Sequence, residues 1–289
     1  MAPATQEMDI TCVICGNRTT KHHLGIDACR ACASFYRRAK VRTGSEYQCR
    51  NGTKRCTIGK ELERLPTLAR LRNSYAMLCR LRIMGERMLQ PPTNSTADIK
   101  LLECTREMYE LTTRAMMNAL MDFSEAAVIE FSYLPTEEKD KFVKQFHGTY
   151  NFFEGIYRSV QHFPEKENLI FFSYTAYVDM QNPKKYFGKA EDQANRIVAE
   201  SMQDHALKCR RAVSEAALND VEFIAALGLI LFSSENASYS EQLFSITEKN
   251  REELMKDLHV YYREVLSCED YASRLGQIFL LINSLTVTS

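Results

Sequence analysis

Apolar residues recur along most of this chain at three- and four-residue steps, which is the spacing typical of helices that bury one face. This spacing predicts helices over about 98–133, 136–160, 190–216, 220–232, 242–266 and 269–285. The clearest stripe is Phe142, Phe146, Tyr150, Phe153, Tyr157 and Val160. Thr136, between Pro135 and two glutamates, is expected to cap its helix. Residues 169–178 are aromatic and β-branched and predict a short β-hairpin.

A separate amphipathic stripe precedes this region. Its apolar positions are Leu68, Leu71, Tyr75, Leu78 and Leu81. Arginines lie beside them, and Thr67 is a candidate cap after Pro66. Residues 91–97 begin with two prolines and are otherwise mostly polar, so they predict a hinge. We therefore divide the chain into an N-terminal domain at 9–90, a hinge at 91–97 and a helical domain at 98–289.

Charge is distributed unevenly, although the net charge of the 289-residue chain is zero. Residues 11–90 contain 17 Lys and Arg against 5 Asp and Glu, whereas the rest of the chain contains 20 against 32. This asymmetry is typical of a nucleic-acid-binding unit joined to an acidic unit that folds separately.

Four cysteines in the basic part form two Cys-x-x-Cys pairs, Cys12 with Cys15 and Cys29 with Cys32. Each pair can occupy two neighbouring corners of a tetrahedral zinc site, and 13 residues separate the pairs. A disulfide scaffold is the competing interpretation, but the N-terminus lacks the features of a secretion signal. No apolar run approaches the ~18 residues of a membrane span. We therefore predict a zinc finger in a reducing, intracellular compartment.

The second cysteine pair opens a helical pattern. Cys32, Phe35, Tyr36 and Ala39 share one face of this helix, which is expected to pack inward. The basic side chains that project outward are Arg30, Arg37, Arg38 and Lys40. A helix fixed by two of its own zinc ligands suits a major-groove reading element, with arginines on phosphates or guanine edges.

The run Cys29-Arg-Ala-Cys-Ala-Ser-Phe-Tyr-Arg-Arg resembles the first finger of the nuclear receptor DNA-binding domain, especially in the nematode branch of that family. The resemblance implies a recognition helix over residues 29–41. The specificity positions would be Arg30, Ala31, Ala33 and Ser34. Further contacts to DNA are expected from His23, Arg37, Arg38, Arg80 and Arg82. Many receptors have lysine at the position of Ala33, so their half-site is not carried over.

The second finger departs from the family pattern. Its candidate ligands are Cys49, Cys56 and Cys79, but Ala76 stands where the partner of Cys79 is expected. Structural zinc almost always takes four ligands, so this site is absent, completed by an unexpected group or filled at reduced affinity. We expect the stripe at residues 68–81 to pack on the recognition helix and to replace part of the role of this zinc.

The helical domain resembles the nuclear receptor ligand-binding domain. Residues 134–146 are similar to the signature that joins helices 3 to 5, and residues 171–180 lie where the small strand pair belongs. Residues 220–227 and 271–281 are similar to parts of helices 8 and 10. The resemblance implies an all-helical sandwich with a small lipophilic ligand, in a homodimer or heterodimer, but identifies no ligand-binding residue. The chain stops at Ser289, so we expect no counterpart of the final helix that docks coactivators.

These features predict a zinc-dependent, sequence-specific transcription factor of the nucleus, open to regulation by a ligand, with double-stranded DNA as its partner. The alternative is a non-activating interaction module or competitor that pairs with other receptors and binds DNA weakly or not at all. Zinc is the cofactor that the motifs predict, in one complete site and one doubtful site. No arrangement of catalytic residues is evident, so we do not expect an enzyme or a membrane protein.

Overall fold

The computed structural model describes residues 10–11, 18–19, 30, 32–34, 64–90, 101–187, 193–233 and 239–285. The chain divides into two compact units, Met1–Arg64 and Leu65–Ser289. In the first unit, β1 (Ile10–Thr11) pairs antiparallel with β2 (Arg18–Thr19). Arg30 and residues 32–34 are helical, which agrees with the helix predicted over residues 29–41.

The described part of the second unit contains eight α-helices. They are α1 (Pro66–Met88), α2 (Arg106–Ala127), α3 (Thr136–His162), α4 (Lys184–Phe187), α5 (Gln193–Ala216), α6 (Asp220–Leu231), α7 (Glu241–Val260) and α8 (Ala272–Leu285). A 3-10 turn, Ile129–Tyr133, follows α2, and a π-helical turn, Tyr261–Val265, extends α7. The predicted mostly α fold is confirmed.

Two predicted helix starts are wrong. The helix expected from residue 98 begins only at Arg106, because Leu102–Glu103 is extended and the Thr105 hydroxyl caps α2 by accepting from Met108 N. The N-cap of α3 is Pro135, which makes no side-chain capping bond, so Thr136 is a helical residue and not the cap.

A small mixed sheet lies at one edge of the helical unit. The hairpin pairs β4 (Leu169–Phe171) antiparallel with β5 (Ala176–Asp179), in the register Ile170 opposite Val178. The third strand, β3 (Leu102–Glu103), pairs parallel with β5. The hairpin confirms the strands expected at residues 169–178, and β3 was not expected.

Helices α3 and α6 form the interior of the second unit. Helix α6 is apolar on nearly all sides, and its residues from Val221 to Leu231 are buried, as expected for a helix with neighbours all round. The ring of Tyr157 on α3 stacks on Phe223 of α6 with centroids 3.8 Å apart. Gly228 allows close approach on the other side, since a Cβ there would lie 2.6 Å from Leu71 and 2.7 Å from Leu254.

Helix α1 belongs to the second unit, Leu65–Ser289, whereas the sequence assigned residues up to 90 to the zinc-finger domain. Its buried apolar residues Leu68, Leu71 and Leu78 belong to the core of the unit Leu65–Ser289, where α1 meets α2, α6 and α7. Packing of this stripe on the recognition helix stays a prediction, because most of residues 29–41 lie outside the described residues. The hinge predicted at residues 91–97 lies outside the described residues.

The N-terminus of α1 is capped by a residue from the far end of the chain. Asp257 on α7 is buried, and its Oδ2 accepts hydrogen bonds from Thr67 N at 2.7 Å and Leu68 N at 2.9 Å. The predicted cap, Thr67, instead lies within the helix, whose N-cap is Leu65. A carboxylate at this end satisfies free N–H groups and complements the helix dipole.

Replacing Asp257 with alanine is expected to destabilise the protein by about 1–2 kcal/mol, because two buried N–H groups lose their acceptor. Asparagine at this position keeps one oxygen acceptor and should cost less. Urea denaturation followed by circular dichroism measures both. The exposed Glu252 on the same helix provides the control, and equal effects of D257A and E252A would contradict the capping role.

Candidate functional site

The predicted zinc ligands fall largely outside the described residues. These undescribed ligands are Cys12, Cys15, Cys29, Cys49 and Cys56. Cys32 is helical and half-buried in the first unit. Within the described ranges, no group of three or more His, Cys, Asp or Glu could hold a metal ion. The donor set of the first site, four cysteines in two Cys-x-x-Cys pairs, nevertheless fits zinc by its chemistry.

Cys79, the third candidate ligand of the second site, lies on α1 in the second unit. Burial, followed by the charge of Glu154, raises the pKa of its thiol. Cys49 and Cys56 lie outside the described residues, so the second zinc site stays a prediction.

The residues predicted to contact DNA divide into three groups. Arg30 is exposed on its helix, and Ser34 is half-buried. Ala33 is 1% exposed, so its predicted contact with a base is corrected: a methyl group without accessible surface cannot meet a thymine. The members that lie outside the described residues are His23, Ala31, Arg37 and Arg38.

The predicted contact of Arg82 with DNA is also corrected, because Arg82 is an interior residue. Its side chain is 2% exposed, and Nη1 donates to Glu154 Oε2 at 3.0 Å. A guanidinium with a buried carboxylate partner is not free to bind a phosphate. Arg80, two residues earlier, is exposed, and its Nε donates to Ala76 O within the same helix.

Glu86 ties α1 to the turn of the β4–β5 hairpin. Its Oε2 accepts from Ser173 Oγ at 2.9 Å, Thr175 N at 2.7 Å and Thr175 Oγ1 at 2.8 Å. Its Oε1 accepts from Tyr174 N at 2.9 Å. From the other side, Arg158 Nη2 donates to Tyr174 O at 2.7 Å. The turn is thus held between α1 and α3.

This hairpin forms one wall of a cavity of about 490 Å³, a size that suits a small organic ligand. The remaining walls come from α2, α3, α4, α5 and α8. The lining residues are Tyr109, Gly148, Thr149, Asn151, Phe152, Phe171, Phe172, Met180, Tyr186, Ser201, Met202, His205, Ala206 and Leu285. None of them was assigned to a ligand site from the sequence, because they are spread over 177 positions and share no local motif.

Two family models match the chain. A model described as the ligand-binding domain of nuclear hormone receptor matches residues 96–289, and a double treble clef zinc finger of the C4 type matches residues 10–80. The zinc-finger match thus ends inside α1, a helix that packs with the second unit. In the helices that the structure describes, no segment is long and apolar enough to cross a membrane.

Three proteins of Caenorhabditis elegans illustrate the relationship. Nuclear hormone receptor family member nhr-42 is 23% identical over 96% of this chain and 90% of its own length. Family member nhr-53 is 25% identical over 95% of this chain and 85% of its own length. Family member nhr-127 is 44% identical, but over only 18% of this chain and 14% of its own length. Since the ligand-binding-domain model alone covers more than half of the sequence, this chain belongs to the nuclear hormone receptor family.

Proposed function

We propose that this chain is a zinc-dependent, sequence-specific DNA-binding regulator of transcription that acts in the nucleus. The observation that carries the proposal is the pair of Cys-x-x-Cys motifs running directly into a basic helix, within the segment that matches a C4 zinc finger. Cys12, Cys15, Cys29 and Cys32 would hold one zinc ion. When bound, zinc fixes the four thiolates together and so fixes the start of the recognition helix.

The basic side chains of this segment have different roles in the proposal. Arg30 and Ser34 are candidates for base readout, together with Ala31, because they open the recognition helix. His23, Arg37 and Arg38 would bind phosphates, which set the register of the helix on the duplex. Arg80 retains an exposed guanidinium and stays a candidate for a phosphate contact. Arg82 and Ala33 are not part of the proposed surface.

The helical unit would regulate this activity by binding a small ligand in the cavity between α2, α3, α5 and the hairpin. Members of the nuclear hormone receptor family act as transcription factors and not as enzymes, so we infer binding and not catalysis as the use of this cavity. A second receptor chain remains the proposed protein partner.

The alternative function is a protein-interaction module that pairs with other receptors and no longer selects a DNA sequence. It is favoured by two residues that lie in the helical unit: Cys79, whose thiol pKa is raised by burial, and Arg82, which is buried against Glu154. The two functions differ in whether DNA binding has sequence preference.

Zinc removal tests the proposed function in the full chain. Fluorescence anisotropy with labelled duplexes should show binding that is lost with a chelator and regained when zinc is added back. The affinity should also fall steeply with salt, since each neutralised phosphate releases condensed counterions. Binding that is unchanged without zinc would contradict the proposal.

Replacing Arg37 with alanine is expected to weaken binding to all DNA sequences alike, because a phosphate contact carries no sequence information. The slope of log affinity against log salt should become shallower by about one contact. Replacing Arg30 with alanine is the matched comparison and should relax sequence preference. An Arg37 variant with altered preference and no general loss would overturn this assignment.

A further inference from the structure

The outer side of α1 carries large apolar side chains that the fold leaves uncovered. Met84 is 65% exposed and Met88 is 87% exposed, and Leu89, directly after the helix, is 45% exposed. Met84 and Met88 are four residues apart, so they lie next to each other on one side of the helix. Exposed apolar groups that adjoin on one surface are typical of an interaction site.

Helix α2 forms the second wall of a shallow groove beside these methionines. Arg70, near the start of α1, donates from Nε to Ala127 O at the end of α2 at 2.7 Å. Near the other end of α1, a Cβ at Gly85 would lie 3.5 Å from Ala115 Cβ, so the two antiparallel helices approach closely there. Leu111, one turn from Ala115 and 42% exposed, therefore lies on the α2 side of the end of α1 that carries the methionines.

The exposed charge of α1 is entirely positive. Arg72 is half-buried, and Arg80 and Arg87 are exposed. They follow one another at eight and seven residues, about two turns each, so they form a row about 22 Å long, the arginine row. The acidic residue of α1, Glu86, is buried by its bonds to the hairpin turn.

The arginine row has no carboxylate partner in the part of the chain that the structure describes. The ion pairs of α1 there belong to Arg70, which faces α7, and to Arg82, which faces α3. On α2, Arg114 adds an exposed cation near the middle of the helix, whereas the exposed acids Glu107 and Asp122 lie toward its two ends. The arginine row is thus available to a negatively charged partner.

A partner that fits this surface must offer both apolar groups and negative charge. A DNA duplex would use the arginines but leave the thioethers without a role, since phosphates bind cations and hydrogen-bond donors. Methionine is flexible and polarizable, and grooves rich in it accept the apolar side of an amphipathic helix. Carboxylates beside that apolar side would complement the arginines. An acidic amphipathic helix meets both requirements.

We propose that the surface formed by Met84, Met88, Leu111 and the arginine row, the methionine–arginine face, binds an acidic amphipathic helix of a partner protein. The apolar side of that helix would lie on the methionines and its carboxylates on the arginines. None of the residues of this face is among those that line the cavity. The proposal therefore does not depend on the ligand of the cavity.

Two labelled peptides test the charge and the apolar side together. Both have about 15 residues, with leucines at i, i+4, i+7 and i+11, and carry either glutamates or lysines beside the leucines. Fluorescence anisotropy measures their binding to the zinc-loaded full chain. The glutamate peptide should bind at least about tenfold more tightly than the lysine peptide, with a preference that falls as salt is added. Equal affinities, or no binding of the glutamate peptide, would overturn the proposal.

Replacing Met84 and Met88 together with glutamine locates the binding. Glutamine keeps the helix propensity while removing the apolar surface, so the exposed helix face should stay folded. This methionine variant should bind the glutamate peptide about tenfold more weakly than the parent. The control is L280Q, at a leucine 71% exposed on α8, which should bind as the parent does. An equal loss in L280Q, or no loss in the methionine variant, would place the peptide elsewhere and overturn the proposal.

Replacing Arg72 and Arg87 together with glutamine tests the arginine row. Arg80 is left unchanged, because it is also a candidate for a phosphate contact. This arginine variant should reduce the preference for the glutamate peptide to about threefold or less. R211Q, at an exposed arginine on α5, is the control and should keep the full preference. Circular dichroism checks that each variant is folded, and a folded arginine variant with full preference would contradict the proposal.

Two more measurements distinguish other occupants of this face. Self-association of the parent in sedimentation velocity, lost in the methionine variant, would assign the face to a second copy and overturn the proposal. Weaker DNA binding by the arginine variant, in a parent that binds neither peptide, would assign it to the duplex and also overturn it. C29S should lose DNA binding but keep peptide binding, since the face lies in the helical unit. Failure of the zinc-finger function would thus leave this proposal standing.

Discussion

Replacing Arg82 with alanine is expected to lower the free energy of unfolding of the helical unit by about 3–5 kcal/mol, the cost typical of breaking a buried ion pair. Arg82 and Glu154 are both interior residues, joined at 3.0 Å between α1 and α3. Without the guanidinium, the carboxylate keeps Arg158 at 3.6 Å and Tyr75 Oη at 3.3 Å. Urea denaturation of the full chain, followed by far-ultraviolet circular dichroism, measures the loss.

Measuring the free energy of unfolding at acid pH provides a second test of the ion pair between Arg82 and Glu154. Burial by itself would raise the pKa of Glu154, but the charges of Arg82 and Arg158 hold the pKa below its ordinary value. The stabilisation is therefore present above the unfolded pKa of about 4.3 and is lost as pH falls through the lower folded value. The Arg82 variant should lose less stability than the parent over this acid range.

The exposed Arg80 provides a control on the same helix. R80A should change stability by no more than about 0.5 kcal/mol, as is usual for surface substitutions. Replacing both Arg82 and Glu154 with methionine should recover only part of the loss, because the buried Arg158 then loses Glu154 and the buried Glu86 loses Arg82. If R82A were no more destabilising than R80A and instead weakened DNA binding, the interior role of Arg82 would be wrong.

Replacing Cys29 with serine should remove both the bound zinc and the DNA binding of the chain. A structural zinc site contributes about 10–16 kcal/mol of apparent binding free energy in small fingers, so the loss of one thiolate is severe. The matched substitution is Cys79→Ser, which should leave zinc content and DNA affinity unchanged, since Cys79 is a half-buried thiol of the helical unit. Elemental analysis of the purified proteins measures zinc per chain.

The same two cysteine variants also test whether Cys79 of the second finger binds zinc. One zinc per chain in the parent and in C79S, with none in C29S, is the expected pattern. Loss of a zinc ion on changing Cys79 alone would show that Cys79 is a ligand and that α1 leaves its place in the helical unit.

Periodicity predicted the long helices of the second unit well, because each of them buries apolar positions, whereas the four-residue helix α4 buries none and was not predicted. The aromatic stripe that begins at Phe142 became α3, and the glycine-poor apolar run after residue 220 became the central helix α6. In both, the side-chain spacing itself determines which face is buried. The short aromatic stretch at residues 169–178 likewise became the hairpin.

The position of α1 could not be predicted from its stripe. Leu68, Leu71 and Leu78 show that one face is buried, but an apolar face carries no information about which apolar surface it meets. The partners of α1 come from residues far along the chain, such as Asp257, which lies 190 residues from Thr67. For the same reason, arginine at position 82 suggested DNA, whereas its carboxylate partner is 72 residues away.

Like the position of α1, the cavity could not be predicted from the sequence. Its residues belong to five helices and a hairpin, and several of them, such as Phe171, Met180 and Ala206, are also buried core positions. Phe172 lines the cavity because the hairpin turn is held by Glu86 from α1. Neither the hairpin wall of the cavity nor Glu86, which holds the hairpin turn, can be recognised before the three-dimensional arrangement of the elements is known.

Selection of bound sequences from a random DNA pool by the zinc-loaded full chain tests the central claim most directly. We expect enrichment of a short motif, lost in C29S and retained in C79S and R82K, since Cys79 and Arg82 lie in the helical unit. Salt-sensitive binding without any enriched motif would contradict the account and favour the interaction module.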